Sequence, residues 1–352
     1  MKLNSAEIKN EFDNVIIKEA IQDKHVPDDF YSTTNNTTLI YYNNNWIEVK
    51  NQRMDALIAV DDTGASCKKL RDIKKGDKIV CGNFGIKILN DNEKDQENKQ
   101  FSFMNNQFSS ERRNDMQIKR LAYELVNNRK ELAIVAGPVV VHTGGDYYLS
   151  ELIRNNYVSS LLTGNALAVH DIEKNLYQTS LGVCSKTGRV TENGYRNHMR
   201  AINHIYGYGS IKDAVEANGL RSGIMYECVK NDVPFVLAGS LRDDGPLPDT
   251  ITDMIEAQQA YGEQLRNAEI VLVLGTMLHG IAVGNMLPAK CKMICVDINT
   301  AVVTKLSDRG SSQTIGIVTD VGLFVNLLVK EIKALEGKKF GVVYENLKMS
   351  GT

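Results

Sequence analysis

The residues best equipped for chemistry stand together at Arg242-Asp243-Asp244, between Gly239-Ser240-Leu241 and Gly245-Pro246. A guanidinium offers a two-pronged match to a carboxylate. A carboxyl beside it, its pKa raised by burial or by a like-charged neighbour, can hold an ammonium or take its proton. The same triplet also reads as a loop knitted by its own salt bridges, and the flanking glycines are what favour the chemical reading. His142, His170 and His279 are candidates for a proton shuttle, each weighed against a satisfied, buried imidazole. His198 and His204 fall six apart on a helical stretch and so point in different directions. Nothing else supplies a ligand set, and no metal site is expected.

All of these residues fall in or beside connections of an alternating pattern. A helix is expected over 111–129, with Met116, Ile118, Leu121, Ala122 and Leu125 as its apolar stripe. Strands follow at 132–136, 158–162, 235–238, 270–274, 293–298 and 315–318. Between and after them lie helical stretches at 147–154, 195–205, 211–217, 223–231, 250–267, 301–307 and 321–335. Near-continuous apolar strands alternating with helices imply an α/β parallel sheet covered on both faces. Ligands of such sheets bind beyond the carboxyl ends of the strands.

Five of the six loops found there carry Gly, Ser or Thr directly after the apolar run. The first is Gly137-Pro138 running on to Thr143-Gly144-Gly145-Asp146. The others are Thr163-Gly164-Asn165 with Ala166, Gly239-Ser240, Gly275-Thr276-Met277-Leu278-His279-Gly280, Asn299-Thr300 and Thr319-Asp320. Small residues leave backbone N–H groups open at helix starts, which is a cradle for a dinucleotide diphosphate. The G-x-G-x-x-G fingerprint is absent; Gly207-Tyr208-Gly209 lacks its third glycine and follows a helix. Asp297 ends a strand, where a carboxylate accepts from ribose hydroxyls and repels a 2′-phosphate, favouring NAD over NADP. Asp297 or Asn299 capping the next helix is the alternative.

The first 110 residues differ in texture, and two domains are expected, over 1–110 and 111–345. Ile8, Phe12, Val15, Ile16 and Ala20 give residues 1–24 near-helical spacing. From 30 to 89 short β-rich runs alternate with turns, which predicts a small antiparallel sheet or barrel. Residues 91–100 read as a linker. Tyr31-Ser32-Thr33-Thr34-Asn35 either caps a turn through its side chains or forms a polar lip over the site. With Lys+Arg 41 against Asp+Glu 43 and no basic tract, nucleic acid is not expected as a partner. The apolar runs are strand-sized, so no membrane span is expected. The charged opening MKLNSAEIKNEFD carries no apolar signal region, and six scattered cysteines without a C-x-x-C pair suit free thiols in the cytoplasm.

AGPVVVHTGGDYYLSELIRNNYVSSLLTGNALAVHDIE, VPFVLAGSLRDDGPLPD, LGTMLHGIAVGNMLP and CVDINTAVVTKLSDRGSSQ closely resemble the archaeal ornithine cyclodeaminases. That group has long been labelled the LOR/SDH domain and also forms the C-terminal part of cyanobacterial arginine-dihydrolase/ornithine-cyclodeaminase proteins. The likeness runs from about residue 30 to 330; relative to longer members the chain begins late. It implies a nucleotide domain similar to deoxyhypusine synthase and the sirtuins, bound NAD, and conversion of L-ornithine to L-proline with loss of ammonia. By the same resemblance, the Gly275–Pro288 stretch, with Gly275-Thr276-Met277-Leu278-His279 at its start, runs under the nicotinamide ribose. Val296-Asp297-Ile298-Asn299 then holds the adenosine ribose, and Thr319-Asp320-Val321 lies beside adenine.

That conversion is redox-neutral yet needs an oxidation. The Cα hydrogen passes as hydride to NAD, the δ-amine attacks the resulting imine, ammonia leaves, and the hydride returns to the cyclic imine. Arg242 is then expected on the α-carboxylate. Asp243 and Asp244 are expected on the δ-ammonium or as base, with His170 or His142 as proton carrier. Two alternatives remain at this point: an NAD-dependent dehydrogenase or reductase of a lysine-derived amino acid, of saccharopine type, and a non-catalytic NAD-sensing module. The resemblance also implies a homo-oligomer.

Overall fold

The computed structural model describes residues 14–89, 110–128, 130–184, 187–192, 194–243, 245–309 and 314–349. These form two compact units, one built from residues 14–89 together with Asn285–Lys290 and the other from the remainder.

The strands of the first unit pair antiparallel, with one isolated parallel bridge between Lys50 and Ser66. Its strands are β1 (Ile16–Glu19), β2 (Thr37–Tyr42), β3 (Asn45–Glu48), β4 (Leu57–Asp61), β5 (Gly64–Lys68), β6 (Lys78–Cys81) and β7 (Ile86–Leu89). They assemble as a four-stranded sheet, β1-β6-β4-β5, and a three-stranded sheet, β3-β2-β7. Ile40 of one sheet meets Ile58, Val60 and Val80 of the other, with Val15 and Val49 closing the core. The helix expected over 1–24 is corrected here: residues 1–13 lie outside the described residues, and Ile16–Glu19 is a strand paired with Lys78–Cys81. Three β-branched residues in a row, Val15-Ile16-Ile17, favour extended backbone, and pairing with β6 decides the matter. Strand β5 is absent from the sequence expectation because GASCK lacks large apolar residues. It forms through its hairpin with β4, whose turn closes on Gly64 at φ +126°.

The polar run 31–35 is tied into this unit. Thr33 Oγ1 donates to Arg53 O at 2.7 Å and accepts from Ala56 N at 3.0 Å. Asn35 Nδ2 donates to Leu287 O at 2.5 Å, and Asn35 O accepts from Ala289 N at 2.8 Å. The capping alternative therefore describes these side chains, with the segment around Leu287 as one of the things they hold.

The second unit opens with α1 (Ser110–Asn128), then β8 (Leu132–Ala136), α2 (Val139–His142), α3 (Asp146–Arg154), β9 (Ser160–Gly164) and α4 (Asn165–Tyr177). A hairpin of β10 (Thr179–Ser180) and β11 (Val183–Cys184) leads to α5 (Asn197–Tyr206), α6 (Ile211–Glu216) and α7 (Ile224–Lys230). After these come β12 (Phe235–Ala238), β13 (Thr250–Ile251), α8 (Met254–Gln264), β14 (Ile270–Leu274), α9 (Met277–Met286), β15 (Lys292–Asp297), α10 (Thr300–Arg309), β16 (Thr314–Val318) and α11 (Val321–Met349). Among the described residues the sheet has seven strands in the order β13-β12-β9-β8-β14-β15-β16. Every pairing is parallel.

Both central strands, LAIVA and IVLVL, are buried at every position, as a sheet covered on two faces requires. Leu132, Ile134, Leu272 and Leu274 pack with residues of α1, α3, α4, α7 and α11. On the other face Val273 meets α9 and α10: a Cβ on Gly280 would lie 3.0 Å from Val273 Cγ1 and from Leu306 Cδ2. The sheet is a Rossmann-like parallel fold following a β-rich region. None of the described helices is long and apolar enough to cross a membrane.

Several stretches depart from expectation. Val139–His142 and Met277–Met286 are helices that form within or out of expected loops, Asn165–Tyr177 is a helix with no counterpart in the sequence pattern, and Thr250–Ile251 is an edge strand in place of the start of an expected helix. Helix α4 buries Asp171 and Glu173 among its apolar residues, which breaks the stripe a sequence displays. Helix α9, MLHGIAVGNM, is apolar almost all round, the pattern of a helix packed on more than one side. Helix α8 starts only at Met254, because Asp253 accepts from the N–H groups of Ile255 and Glu256.

Thr33→Val keeps the volume but takes the hydroxyl from the half-buried Arg53 carbonyl and from the buried Ala56 N–H. It is expected to destabilise the first unit by about 1–3 kcal/mol, read as a lowered midpoint in denaturant with unit-specific amide exchange.

Candidate functional site

Strand order reverses between β8 and β14. The chain leaves β8 toward β9, β12 and β13 on one side, and leaves β14 toward β15 and β16 on the other. Connections that diverge this way open a crevice at the carboxyl edge. Its floor is glycine. Gly137 N donates to Leu274 O at 2.9 Å, and a Cβ on Gly137 would sit 2.4 Å from Gly275 O. Gly275 itself has φ +59°, and a Cβ there would lie 2.0 Å from Val139 Cγ1. Only glycine permits that close approach.

The loops around the crevice are fixed by their own hydrogen bonds. Pro138 precedes α2, and Thr143 Oγ1 donates back to Val139 O at 2.9 Å. Gly144 takes φ +76°, and Gly145 packs so closely that its Cβ would lie 3.2 Å from Gly322 Cα at the start of α11. Asp320 caps that helix by accepting from Leu323 N at 2.8 Å, while Val321 is buried against Gly275. Asp297 Oδ1 accepts from Asn299 N at 2.8 Å, and Asn299 Oδ1 from Ala301 N at 2.9 Å. Asn299 thus caps α10 as the alternative reading held, Asp297 holds the turn that leads into it, and Asp297 Oδ2 has no partner of its own among the described hydrogen bonds. Met277 and Leu278, in the first turn of α9, and Ile298 after β15 are exposed, as is Ala166 at the start of α4.

His279 lies edge-on to the Tyr261 ring, with centroids 5.9 Å apart, and its Cε1 stands 3.1 Å from where a Cβ on Gly164 would be. Burial lowers its pKa, and its Nδ1 is buried with no hydrogen-bond partner among the described residues. Tyr261, on α8, donates to Thr163 O at 2.7 Å. A glycine floor, an unpartnered buried imidazole nitrogen and a strand-end carboxylate oxygen together fit a dinucleotide, whose diphosphate needs close backbone approach and whose amide and hydroxyl groups need partners.

The Arg242 loop is organised by Asp243. Its Oδ2 accepts from Ser240 N at 2.7 Å and its Oδ1 from Asn165 Nδ2 at 3.2 Å. Asn165 Oδ1 in turn accepts from Leu247 N at 3.0 Å and Thr250 Oγ1 at 3.2 Å. Buried Asn165 is therefore a knot between α4 and this loop. Gly239 N donates to Ile251 O, and Ser240 and Arg242 are exposed. Arg242 makes no ion pair among the described residues, and Asp244 lies outside them.

His142 and His170 come together, with ring centroids 5.0 Å apart. His170 Nδ1 is 3.0 Å from Glu173 Oε2, and His142 Nδ1 is 2.7 Å from Ser180 Oγ. Partial desolvation, and then the neighbouring His170, hold the His142 pKa below the usual imidazole value. Glu173 is fully buried. Burial works against its charge, but hydrogen bonds from His170, Gly182 N–H and Thr179 outweigh it and lower its pKa. Sequence reasoning passed over Glu173, Ser180 and Tyr261. The signal for Glu173 is its place three residues after His170, on one face of a helix that the sequence pattern does not announce.

Residues 117–328 match the family described as arginine dihydrolase ArgZ-like, C-terminal, Rossmann fold, and residues 37–118 its first region. Ornithine cyclodeaminase of Methanocaldococcus jannaschii is 49% identical over 336 residues, covering 93% of this chain and 79% of that one. The bifunctional arginine dihydrolase/ornithine cyclodeaminase AgrE of Nostoc is 51% identical over 328 residues, 91% of this chain. The chain spans 47% of AgrE, about half its length. The structure of AgrE in a ternary complex with ornithine and NAD+ superposes with a TM-score of 0.63 at 47% identity, over 93% of this chain and 47% of that chain. A LOR/SDH protein from Methanococcus maripaludis gives a TM-score of 0.87 at 45% identity, over 92% of this chain and all of the other.

Gly137→Ala places a methyl group inside contact distance of the Gly275 carbonyl. The expected result is a drop of roughly 2–4 kcal/mol in stability together with loss of dinucleotide uptake, measured by thermal unfolding with and without nucleotide.

Proposed function

The chain belongs to the ArgZ-like C-terminal family, and from that membership we propose that it is an NAD-dependent ornithine cyclodeaminase, releasing L-proline and ammonia from L-ornithine. The observation that carries the reading is the glycine-floored crevice where strand order reverses, in a chain about half identical to named ornithine cyclodeaminases over nearly its whole length. Bound NAD supplies reversible hydride acceptance, which a redox-neutral ring closure through an imine requires.

The protein's own groups divide the remaining work. Gly137 and Gly275 let the nucleotide backbone approach, with Pro138, Thr143, Gly144 and Gly145 along one wall and Thr276, Met277 and Leu278 along the other. Asp297 offers its open oxygen to a ribose hydroxyl and disfavours a 2′-phosphate. His279 Nδ1 awaits a polar group of the nicotinamide end. Arg242, exposed on a loop that Asp243 and Asn165 hold in shape, takes the α-carboxylate. Asp243 acts through the loop, since both its oxygens already accept hydrogen bonds. The His142–His170 pair accepts the ammonium proton and hands it to the departing ammonia. We place the enzyme in the cytosol as a homo-oligomer; fully exposed Leu241 at the loop tip is apolar surface that a second copy would cover.

With substoichiometric NAD, L-ornithine is expected to yield proline and ammonia in equal amounts without accumulation of reduced coenzyme. Stoichiometric formation of reduced coenzyme would instead mark a dehydrogenase of a lysine-derived amino acid, and nucleotide binding without turnover would mark a sensor. Arg242→Ala is expected to lower kcat/KM for ornithine by about 100-fold or more, the loss of a charged, two-pronged contact, with NAD affinity within about twofold by calorimetry.

A further inference from the structure

Among the described carboxylates of the second unit Glu173 is the most heavily bonded, and the reaction as proposed assigns it no task. It is fully buried, yet it accepts from four donors: His170 Nδ1 at 3.0 Å, Thr179 Oγ1 at 2.9 Å, Leu181 N at 3.2 Å and Gly182 N at 3.2 Å. Thr179 is itself fixed by Asn197 Nδ2 at 2.9 Å. A carboxylate so surrounded stays ionised in the interior and cannot turn. His170 must then present Nδ1–H to it, which leaves Nε2 as the ring's proton-accepting nitrogen. The ring next to it is His142, edge-on at 5.0 Å, whose Nδ1 meets Ser180 Oγ on β10.

We propose that Glu173 is the positioning residue of a proton relay, fixing His170 in the Nδ1–H tautomer so that the His170–His142 pair accepts the proton of the substrate ammonium and later returns it to ammonia. The proposal deepens the cyclodeaminase reading and rests on it. The step balances: one N–H bond of the ammonium breaks, one imidazole N–H forms, and the reverse occurs when ammonia leaves, so the relay ends as it began. No electrons move in it.

Among the described residues the charged groups around the pair are few. Glu173 faces His170 from the same helix. Lys174, the next residue, is turned to Asp146 of α3 at 2.7 Å. Asp171 points the other way and accepts from Ile224 N and Met225 N at the start of α7, both at 2.9 Å. From α5, Arg200 lies over the Tyr177 ring and reaches Asn197 Oδ1 at 3.2 Å. Glu173 is therefore the anion that an imidazolium at His170 meets directly.

The test is Glu173→Gln, studied by 15N NMR of the histidine rings, NAD calorimetry and ornithine turnover against pH. In the unaltered protein the neutral His170 ring is expected to carry its proton on Nδ1, and the substitution to abolish that preference. Turnover is expected to fall by on the order of ten- to a hundredfold, with NAD affinity unchanged. The acid limb of kcat/KM moves to lower pH, because removing the negative charge disfavours the protonated pair. An unchanged tautomer, or a turnover loss with an unmoved acid limb, overturns the proposal. If Glu173→Gln does not fold, His170→Gln leaves the carboxylate with its three other donors and must remove the acid limb while retaining NAD uptake; a retained limb overturns the proposal equally. Absence of proline formation by the unaltered protein would refute the cyclodeaminase reading, while an Nδ1–H tautomer that depends on Glu173 would still establish the Glu173–His170 pairing.

Discussion

The close approach of Gly137 to Gly275 is the constraint on which the second unit depends. Two parallel strands, hydrogen-bonded along their length, must separate into loops that run to opposite sides of the sheet. They can do so only if the two backbones touch where they part. The contact sets where α2 and α9 begin and how far apart their first turns stand. Buried Val321 extends the same contact to α11, since a Cβ on Gly275 would lie 3.4 Å from Val321 Cγ2. Three chain segments distant in sequence thus converge where small residues leave room for a ligand's phosphates rather than for side chains.

Around that opening the structure spends buried polar groups as fasteners. Asn165 joins the loop after β12 to α4, Asp171 joins α4 to α7, and Glu173 joins α4 to the β10–β11 hairpin. All three sit on one helix, and each has its hydrogen-bonding capacity largely filled. A filled buried network is rigid and specific, whereas a half-filled one costs free energy. Helix α4 is therefore less a packing element than a polar spine, one that reaches from the sheet's rim to the imidazole pair.

How much of this was legible varies with what made each element form. Strands β8, β12 and β14 declared themselves because every position is apolar, and the loops after them because Gly, Ser or Thr follows at once. Helices α4 and α9 did not. In α4 the buried face includes Asp171 and Glu173, so hydrophobicity and burial disagree; in α9 the apolar residues go all round, so no period exists to find. At the site, the glycine loops and the histidines were visible as types, but their partners were not. Nothing local in the sequence joins His142 to Ser180, 38 residues away, or Asn165 to Thr250. Asp297 and Asn299 suit either a ribose or helix capping, and the structure gives the cap to Asn299 and the preceding turn to Asp297, leaving one Asp297 oxygen for the other task. Residues 16–19 show the opposite failure: a helical spacing of apolar residues lost to β-branching and to a waiting partner strand.

The first unit is not continuous in the chain. Leu287 and Ala289 bond to Asn35, and Asn285 O accepts from Met54 N at 3.1 Å, so a β fold that begins near residue 14 takes its last pieces from beyond residue 284. During vectorial synthesis its strands β1 to β7 emerge first, yet that module stays unfinished until the ribosome has delivered β8 through β14 and the whole of α9. The order of manufacture and the order of completion are therefore different. A nascent chain must carry an unsealed N-terminal body past most of its own Rossmann half, leaving the long-range closure, with its entropic cost, for late in maturation.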